Sequence, residues 1–365
     1  MTWEHVAAVP GADGTSVVTV AGALPSVSVD AYRLPELLDA FEPLIGRPVF
    51  LRLGAHVELG DDRYLRLLEF DAGDATLETL PLDEAHADLA PEPLRDAFAR
   101  WLEIRRGAPV PPLRPPWARP GWHARAEAWV GRPLAQYRLW QLSAVLHGGG
   151  EFLKAVFSVF HHEPAVTQML AREHPGDVPD VVRIDSREGW LLMRELRQDG
   201  AADDRALETL ARIQHAWRAR HGELRALGAP DRRLVVLERS LEEHVAAVAP
   251  ELLENVPALA RVCRELAARG EPETLVHGDF HRENVAVHDG RPVIFDWSDA
   301  CIAHPAIDRH LYAPDAVDDV EAIAGELHQS VSYRAIAAAI PADDRVWFPD
   351  EPRRCLERAV ARLAQ

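Results

Sequence analysis

Short apolar runs separated by turn-forming residues open the chain. Val17 to Val20, Val49 to Leu53 and Tyr64 to Phe70 are rich in β-branched and apolar residues, and Ala75 to Leu80 alternates in part. These predict strands, with turns at Gly11-Ala12-Asp13-Gly14 and Gly60-Asp61-Asp62. From Pro91 to Ile104 the spacing becomes helical and puts Leu94, Phe98, Trp101 and Leu102 on one face. The first 108 residues therefore predict a small α+β unit. Gly107 to Gly121, GAPVPPLRPPWARPG, is dense in proline and predicts a semi-rigid linker, with the domain boundary near residue 110.

Beyond the linker, Trp122 to Val130 predicts a short amphipathic helix. Tyr137 to Leu146 predicts two strands or a bent one, Gly148-Gly149-Gly150 a hairpin tip, and Phe152 to Val159 the next strand. A helix over Ala165 to Glu173 follows, then strands over Val181 to Asp185 and Gly189 to Glu195. The pattern then turns helical: Ala206 to His221, with Gly222 placed to end it, Leu234 to Val248 and Leu252 to Ala268. Trp217 falls at a core position of the first of these.

The densest chemistry lies in Thr274 to Asp299, TLVHGDFHRENVAVHDGRPVIFDWSD. Val285 to Val287 and Pro292 to Phe295 predict two short strands joined by an Asp289-Gly290 turn. That hairpin separates Asp279 and Asn284 on one side from Asp296 on the other. Phosphoryl transfer needs a carboxylate beside the attacking hydroxyl and metal ions on the phosphates. Asp279 suits the first task. Asn284 and Asp296 suit the second, as hard oxygen ligands for Mg²⁺. Turn capping alone accounts for any one of these residues but does not call for a second Asp across a hairpin.

Composition narrows the setting. The chain has 365 residues, 47% hydrophobic and 27% charged, which fits two or three folded domains. A net charge of −18 argues against nucleic acid or an anionic membrane as partner and suits a cationic or neutral substrate. Cys263, Cys301 and Cys355 form no close pair, which points to a reducing cytoplasm. The N-terminus lacks the basic start and apolar run of a signal peptide, and no stretch approaches the length of a membrane span. Lys154 is the sole lysine, and Asn284 is one of two asparagines. In a chain that uses Arg elsewhere, a retained lysine marks a site wanting a compact ammonium.

His277-Gly278-Asp279-Phe280-His281-Arg282-Glu283-Asn284, followed by Ile294-Phe295-Asp296-Trp297, resembles the signature of the aminoglycoside phosphotransferase and choline kinase-like superfamily. The resemblance covers roughly residues 120 to 330. It implies an α+β, protein kinase-like bilobal fold: a β-rich N-lobe with hinge over 122–196 and a helical C-lobe over 197–365. Before them stand the α+β unit, a cap-like accessory domain, and the linker of 109–121. Trp297-Ser298 stand where protein kinases place Phe-Gly, and no Ala-Pro-Glu element follows Asp296, which disfavours a protein substrate. The first unit is also loosely similar to the end of a Nudix domain, but that family's Glu-rich catalytic helix is missing.

The resemblance implies ATP as donor, with GTP left open, together with Mg²⁺. It assigns Lys154 to the α- and β-phosphates with Glu163 as its partner. It places Ser143 in the turn Trp140-Gln141-Leu142-Ser143 over the nucleotide. Met193, Glu195 and Leu196 fall in the hinge and purine pocket. Asp279 becomes the catalytic base, Asn284 and Asp296 the metal ligands, and Asp308 a structural helix cap. Acidic residues near Asp315, Asp318, Asp319 and Glu321 read as a solvated helix face, and His161 and His162 as solvent-facing. The acceptor expected is a hydroxyl of an aminoglycoside, amino sugar or neutral sugar; a choline-like alcohol lacks a visible aromatic cage. The rivals are an inactive nucleotide-binding regulator and a protein kinase.

Overall fold

The computed structural model describes residues 2–11, 16–29, 34–46, 51–60, 63–70, 78–81, 92–109, 114–139, 142–340 and 350–363. It divides into two compact units, Met1–Lys154 and Ala155–Gln365.

The first unit is built on a four-stranded sheet. Its strands are β1 (Thr2–Ala8), β3 (Ser26–Val29), β4 (Leu51–Gly60) and β5 (Arg63–Phe70), in the order β3-β1-β5-β4. β1 runs parallel to β5, and the other pairs are antiparallel. β2 (Ser16–Val18) pairs separately with β6 (Thr79–Pro81). Because side chains alternate along β5, Leu65 and Leu67 meet Phe98, Trp101 and Leu102 of α2 (Glu92–Arg105). Leu68 and Phe70 instead meet Leu37, Phe41 and Ile45 of α1 (Leu34–Ile45). The sequence pattern did not show β1, β3 or α1: Pro35 and Pro43 obscure the helix, and tertiary pairing decides the two strands. The turn at 12–14, Val49 with Phe50, 75–77 and Pro91 lie outside the described residues.

α3 (Trp122–Val130) is then followed by β7 (Ala135–Leu139), β8 (Ser143–Gly148) and β9 (Glu151–Val156), with Gly149 and Gly150 at positive φ at the hairpin tip. β7 and β8 pair antiparallel. β9 is shorter than expected, because Ser158–Phe160 turns into a 3₁₀ helix.

In the second unit α4 (Glu163–Glu173) precedes the antiparallel pair β10 (Val181–Asp185) and β11 (Trp190–Arg194). The expected helix to His221 is two: α5 (Arg205–Ala216) and α6 (His221–Ala226). Ala219 takes a left-handed φ of 62°, and Gly222 lies inside α6 rather than ending a helix. Arg220 stacks over the fully buried Trp217 at 3.5 Å, a contact the intervening turn makes room for. α7 (Leu234–Val248) matches its expected span. The next helix begins later than expected, as α8 (Val256–Ala268), with Pro257 in its first turn and a 3₁₀ segment before it.

The region of densest chemistry holds β12 (Thr274–Val276), β13 (Val285–His288), β14 (Arg291–Ile294) and β15 (Cys301–Ala303). β12 pairs with β15, and β13 with β14. α9 (Ala306–Tyr312), α10 (Asp319–Ala339) and α11 (Glu351–Leu363) complete the chain. Leu237, Leu241 and Val245 of α7 pack with Leu259 and Leu266 of α8, Leu327 of α10 and Leu356 of α11 in one helical core. None of the helices among the described residues is long and apolar enough to cross a membrane.

Buried within this helical core, His244 Nε2 lies 2.7 Å from Ser330 Oγ. Burial, reinforced by the charge of Arg334, lowers its pKa to about 4. The neutral ring is thus the folded form, and on acidification the unfolded chain takes up the proton first. Stability from this group is complete above pH 6.5 and is lost as pH falls towards 4. About 2 kcal/mol should disappear between pH 7 and 5. Denaturation midpoints of the native protein and His244→Gln across that window check it; parallel pH slopes would refute it.

Candidate active site

The loop after β12 holds the expected residues in one hydrogen-bonded cluster. Asn284 Nδ2 donates to the Asp279 carbonyl at 2.8 Å and to Asp279 Oδ2 at 3.3 Å. His281 Nε2 lies 3.1 Å from the same amide nitrogen and 3.4 Å from Asp279 Oδ2. Its pKa is raised, chiefly by that contact with Asp279. The bonds to Nδ2 orient Asn284 so that Oδ1, the ligand-type atom, is left without a hydrogen bond among the described residues.

The hairpin returns the chain to the cluster. Asp289 and Gly290 both take positive φ, 49° and 73°, as a tight two-residue turn requires. Phe295 N–H donates to the Asn284 carbonyl at 3.0 Å, so Asp296 emerges directly beside the start of the hairpin. Asp296 itself sits at φ 64°, a left-handed conformation uncommon for a side-chain-bearing residue. Ser298 Oγ donates to Asp296 Oδ1 at 2.7 Å. Asn284 and Asp296 thus present an amide oxygen and a carboxylate, the hard donors Mg²⁺ takes when phosphates supply the rest of its shell. Among the described residues there is no cluster of three His, Cys, Asp or Glu fit to hold a metal by itself.

The support below the loop was only partly legible. Asp308 does not cap its own helix, whose N-cap is Pro305. Its carboxylate instead accepts from the backbone N–H of His277 at 2.8 Å and of Gly278 at 2.9 Å, and from Gln214 Nε2 at 2.9 Å. Burial raises its pKa; the His277 charge and these donors oppose that shift. Gln329 Nε2 donates to the Gly278 carbonyl at 3.0 Å. Sequence spacing had no way to show that Gln329 would meet the loop 51 positions away, or that Gln214 would brace Asp308 94 positions away.

Gly278 has no substitute. Its φ is 82°, and an added Cβ would lie 2.3 Å from the Asp299 carbonyl oxygen. Gly278→Ala should cost at least about 2 kcal/mol of stability, from the left-handed backbone and the forced shift of residue 299. Chemical denaturation measures that; an unchanged midpoint would contradict it.

Asp299, a site residue the sequence did not single out, is half-buried here. Burial raises its pKa; Asp279 reinforces the shift, while Arg232 and the Ser332 hydroxyl, 2.9 Å away, oppose it. His162 is not solvent-facing: it is buried, and burial with Arg232's charge lowers its pKa to about 4. His161 is half-buried. The acidic residues at the start of α10 are engaged by arginines: Asp318 by Arg269, Asp319 by Arg362 and Glu321 by Arg309.

The other expected residues lie elsewhere. Lys154 on β9 is buried, and so is Glu163 at the start of α4; they belong to different units. Ser143 opens β8, while Trp140 and Gln141 of its turn lie outside the described residues. Met193 is half-buried on β11. Glu195 and Leu196 follow it outside any helix or strand, in a segment tied to the hairpin where Arg197 N–H donates to His288 Nδ1 at 3.0 Å and Asp199 N–H to the Val287 carbonyl at 2.8 Å.

The sequence profile of the phosphotransferase enzyme family matches residues 154–340, just over half of the chain, and includes the whole loop cluster. The chain belongs to that family. No curated protein matches it. Solved structures similar to this phosphotransferase family member include a choline/ethanolamine kinase family protein from Mesorhizobium loti, 17% identical with a TM-score of 0.42, covering 66% of this chain and 97% of that one. A choline kinase from Streptococcus pneumoniae is 13% identical with a TM-score of 0.47, covering 66% and 98%. A GDP complex of aminoglycoside 2′-phosphotransferase-IIIa is 18% identical with a TM-score of 0.46, covering 66% and 98%.

Proposed function

We propose that this chain is a Mg²⁺-dependent kinase that moves the γ-phosphate of ATP to a hydroxyl of a small molecule. The observation that carries the reading is the bonded pair of Asp279 and Asn284, with Asp296 delivered beside it by the hairpin. Asp279 orients the acceptor hydroxyl and takes its proton. Asn284 Oδ1 and the Asp296 carboxylate would hold Mg²⁺, which would neutralise phosphate charge. Lys154, steadied by Glu163, would position the α- and β-phosphates by charge-assisted hydrogen bonds. Ser143 would cover the nucleotide, and Met193, Glu195 and Leu196 would line the purine. Catalysis in such a site is positioning plus charge stabilisation.

The same reading gives residues 1–108 to an accessory domain, 109–121 to a spacer, 122–196 to the nucleotide lobe and hinge, and 197–365 to the lobe with the catalytic loop. An acceptor with amino groups, an aminoglycoside or amino sugar, suits the net charge of −18 and the carboxylates of Asp279, Asp296 and Asp299 near the loop. Phosphate transfer from ATP, scored across aminoglycosides, amino sugars and neutral sugars, tests both parts. Turnover of an amino-bearing acceptor is expected. If the protein binds Mg-ATP but turns over no acceptor, and Asp279→Ala behaves identically, the kinase reading fails.

A further inference from the structure

A cavity of about 370 Å³ lies in the second unit on the side of the loop's supports, where α5 and α9 face each other. Its walls are mainly apolar: Leu207, Leu210 and Ala211 of α5, Pro305 before α9, and Ala313 and Val317 after it. That size lies within the range of about 300–1,000 Å³ typical of small-molecule sites. An apolar cavity of about 150 Å³ already holds benzene.

The polar groups lining it are mostly committed. Thr274 Oγ1 donates to the Gln214 carbonyl at 2.6 Å, and Gln214 Nε2 to Asp308. Glu271 is paired with Arg309, which also binds Glu321. Glu208 and Arg218 are both exposed, and the charge of Arg218 already acts on Glu271. They lie ten residues apart along α5 and its C-terminal turn, a span of about 15 Å at helical rise. No single buried charge is therefore waiting for a counter-ion inside.

We propose that this cavity is a binding site for a small, uncharged, largely apolar compound of one or two fused rings, and that its occupancy is felt by the loop carrying Asp279. The coupling follows from two of the lining residues. Gln214 and Asp308 touch the cavity and also form the hydrogen-bonded support of the His277 and Gly278 amides. An occupant that moves either side chain changes the support of the residues directly before Asp279. This site does not depend on which acceptor the enzyme uses, and binding can be read without turnover.

The test uses the full chain with indole and benzyl alcohol as probes, and benzoate and benzylammonium as charged controls of similar shape. Calorimetry should show saturable binding of the neutral probes, with the charged ones at least tenfold weaker. Ala211→Trp fills the cavity from an exposed position and should weaken indole at least tenfold without moving the denaturation midpoint. Ala313→Trp, from the segment after α9, is the second variant; Ala313 packs partly against the core, so its midpoint is allowed to move, but indole should again weaken at least tenfold. Saturating indole should shift the His277 and Gly278 amide resonances in the native chain and not in Ala211→Trp. Absence of saturable binding, equal binding of charged probes, or full affinity in both tryptophan variants overturns the site. Amide resonances that stay in place at saturation overturn the coupling.

Discussion

Replacing Asp279 with alanine should lower kcat by about 10²–10⁴, the usual contribution of a positioned general base. Mg-ATP affinity should stay within a few-fold, because Asp279 is assigned to the acceptor hydroxyl and not to the nucleotide. Asp279→Asn is the sharper comparison. It keeps an oxygen for the Asn284 amide at the position Oδ2 now occupies, so the loop should hold while proton acceptance is lost. Both variants should therefore share the defect in kcat, and the asparagine variant should keep the native denaturation midpoint. Steady-state kinetics with the best acceptor, beside direct nucleotide titration, separates the two effects. A variant that retains full kcat would remove Asp279 from the chemistry.

Asp308→Ala should have the largest effect on stability. Its carboxylate satisfies the His277 and Gly278 N–H groups and the Gln214 amide, all at 2.8–2.9 Å, and it is itself 1% exposed. Removing it strands two buried backbone donors, each costing about 1–3 kcal/mol. Some of that loss is returned, because burying the carboxylate was itself unfavourable, as its raised pKa shows. A net destabilisation of about 2–4 kcal/mol is expected, with a fall in kcat as the residues before Asp279 loosen. Asp308→Asn keeps one acceptor oxygen and should recover part of both. Denaturation within about 0.5 kcal/mol of the native protein, together with normal turnover, would show that the loop is held by other means.

These two residues differ in how they could be found. Asp279 belongs to a run of chemistry within a few positions, so its neighbours on the chain announce it. Asp308 lies in an ordinary-looking segment, His304-Pro305-Ala306-Ile307-Asp308, where a capping role is the local reading. Its partners are 30 and 31 residues earlier, and another is 94 residues earlier. For the same reason Asp299 was not singled out and His162 was read as solvent-facing, although it is buried. Each is polar and flanked by residues that do not mark its setting, and each feels the charge of Arg232, 67 and 70 positions away on the chain.

The helical part of the second unit was well marked because amphipathic period and helix length agree over many residues, as in α7, whose ends match expectation. The breaks were less clear. Ala219 carries a side chain at positive φ, a conformation the pattern gives no reason to expect, so α5 and α6 read as one helix. In the first unit the pattern missed β1 and β3 altogether. β1 sits between β3 and β5 in the sheet, and its parallel partner β5 begins some 60 residues later, so neither pairing is visible from the local residues.

From the amino acids alone came the mixed α+β class, the order Asp279, Asn284, hairpin, Asp296, and the family resemblance that the profile match then bore out. All of these rest on interactions between near neighbours: side-chain period, the Asp-Gly turn and donor types at close spacing. Tertiary structure decided how the loop is held: the Asp308 carboxylate under His277 and Gly278, the Gln329 amide on the Gly278 carbonyl, the Ser332 hydroxyl on Asp299, and the cavity behind Gln214. Each of these joins residues at least 30 positions apart on the chain. Which polar groups must share a dry interior, and so must bond one another, is settled only when the helices pack.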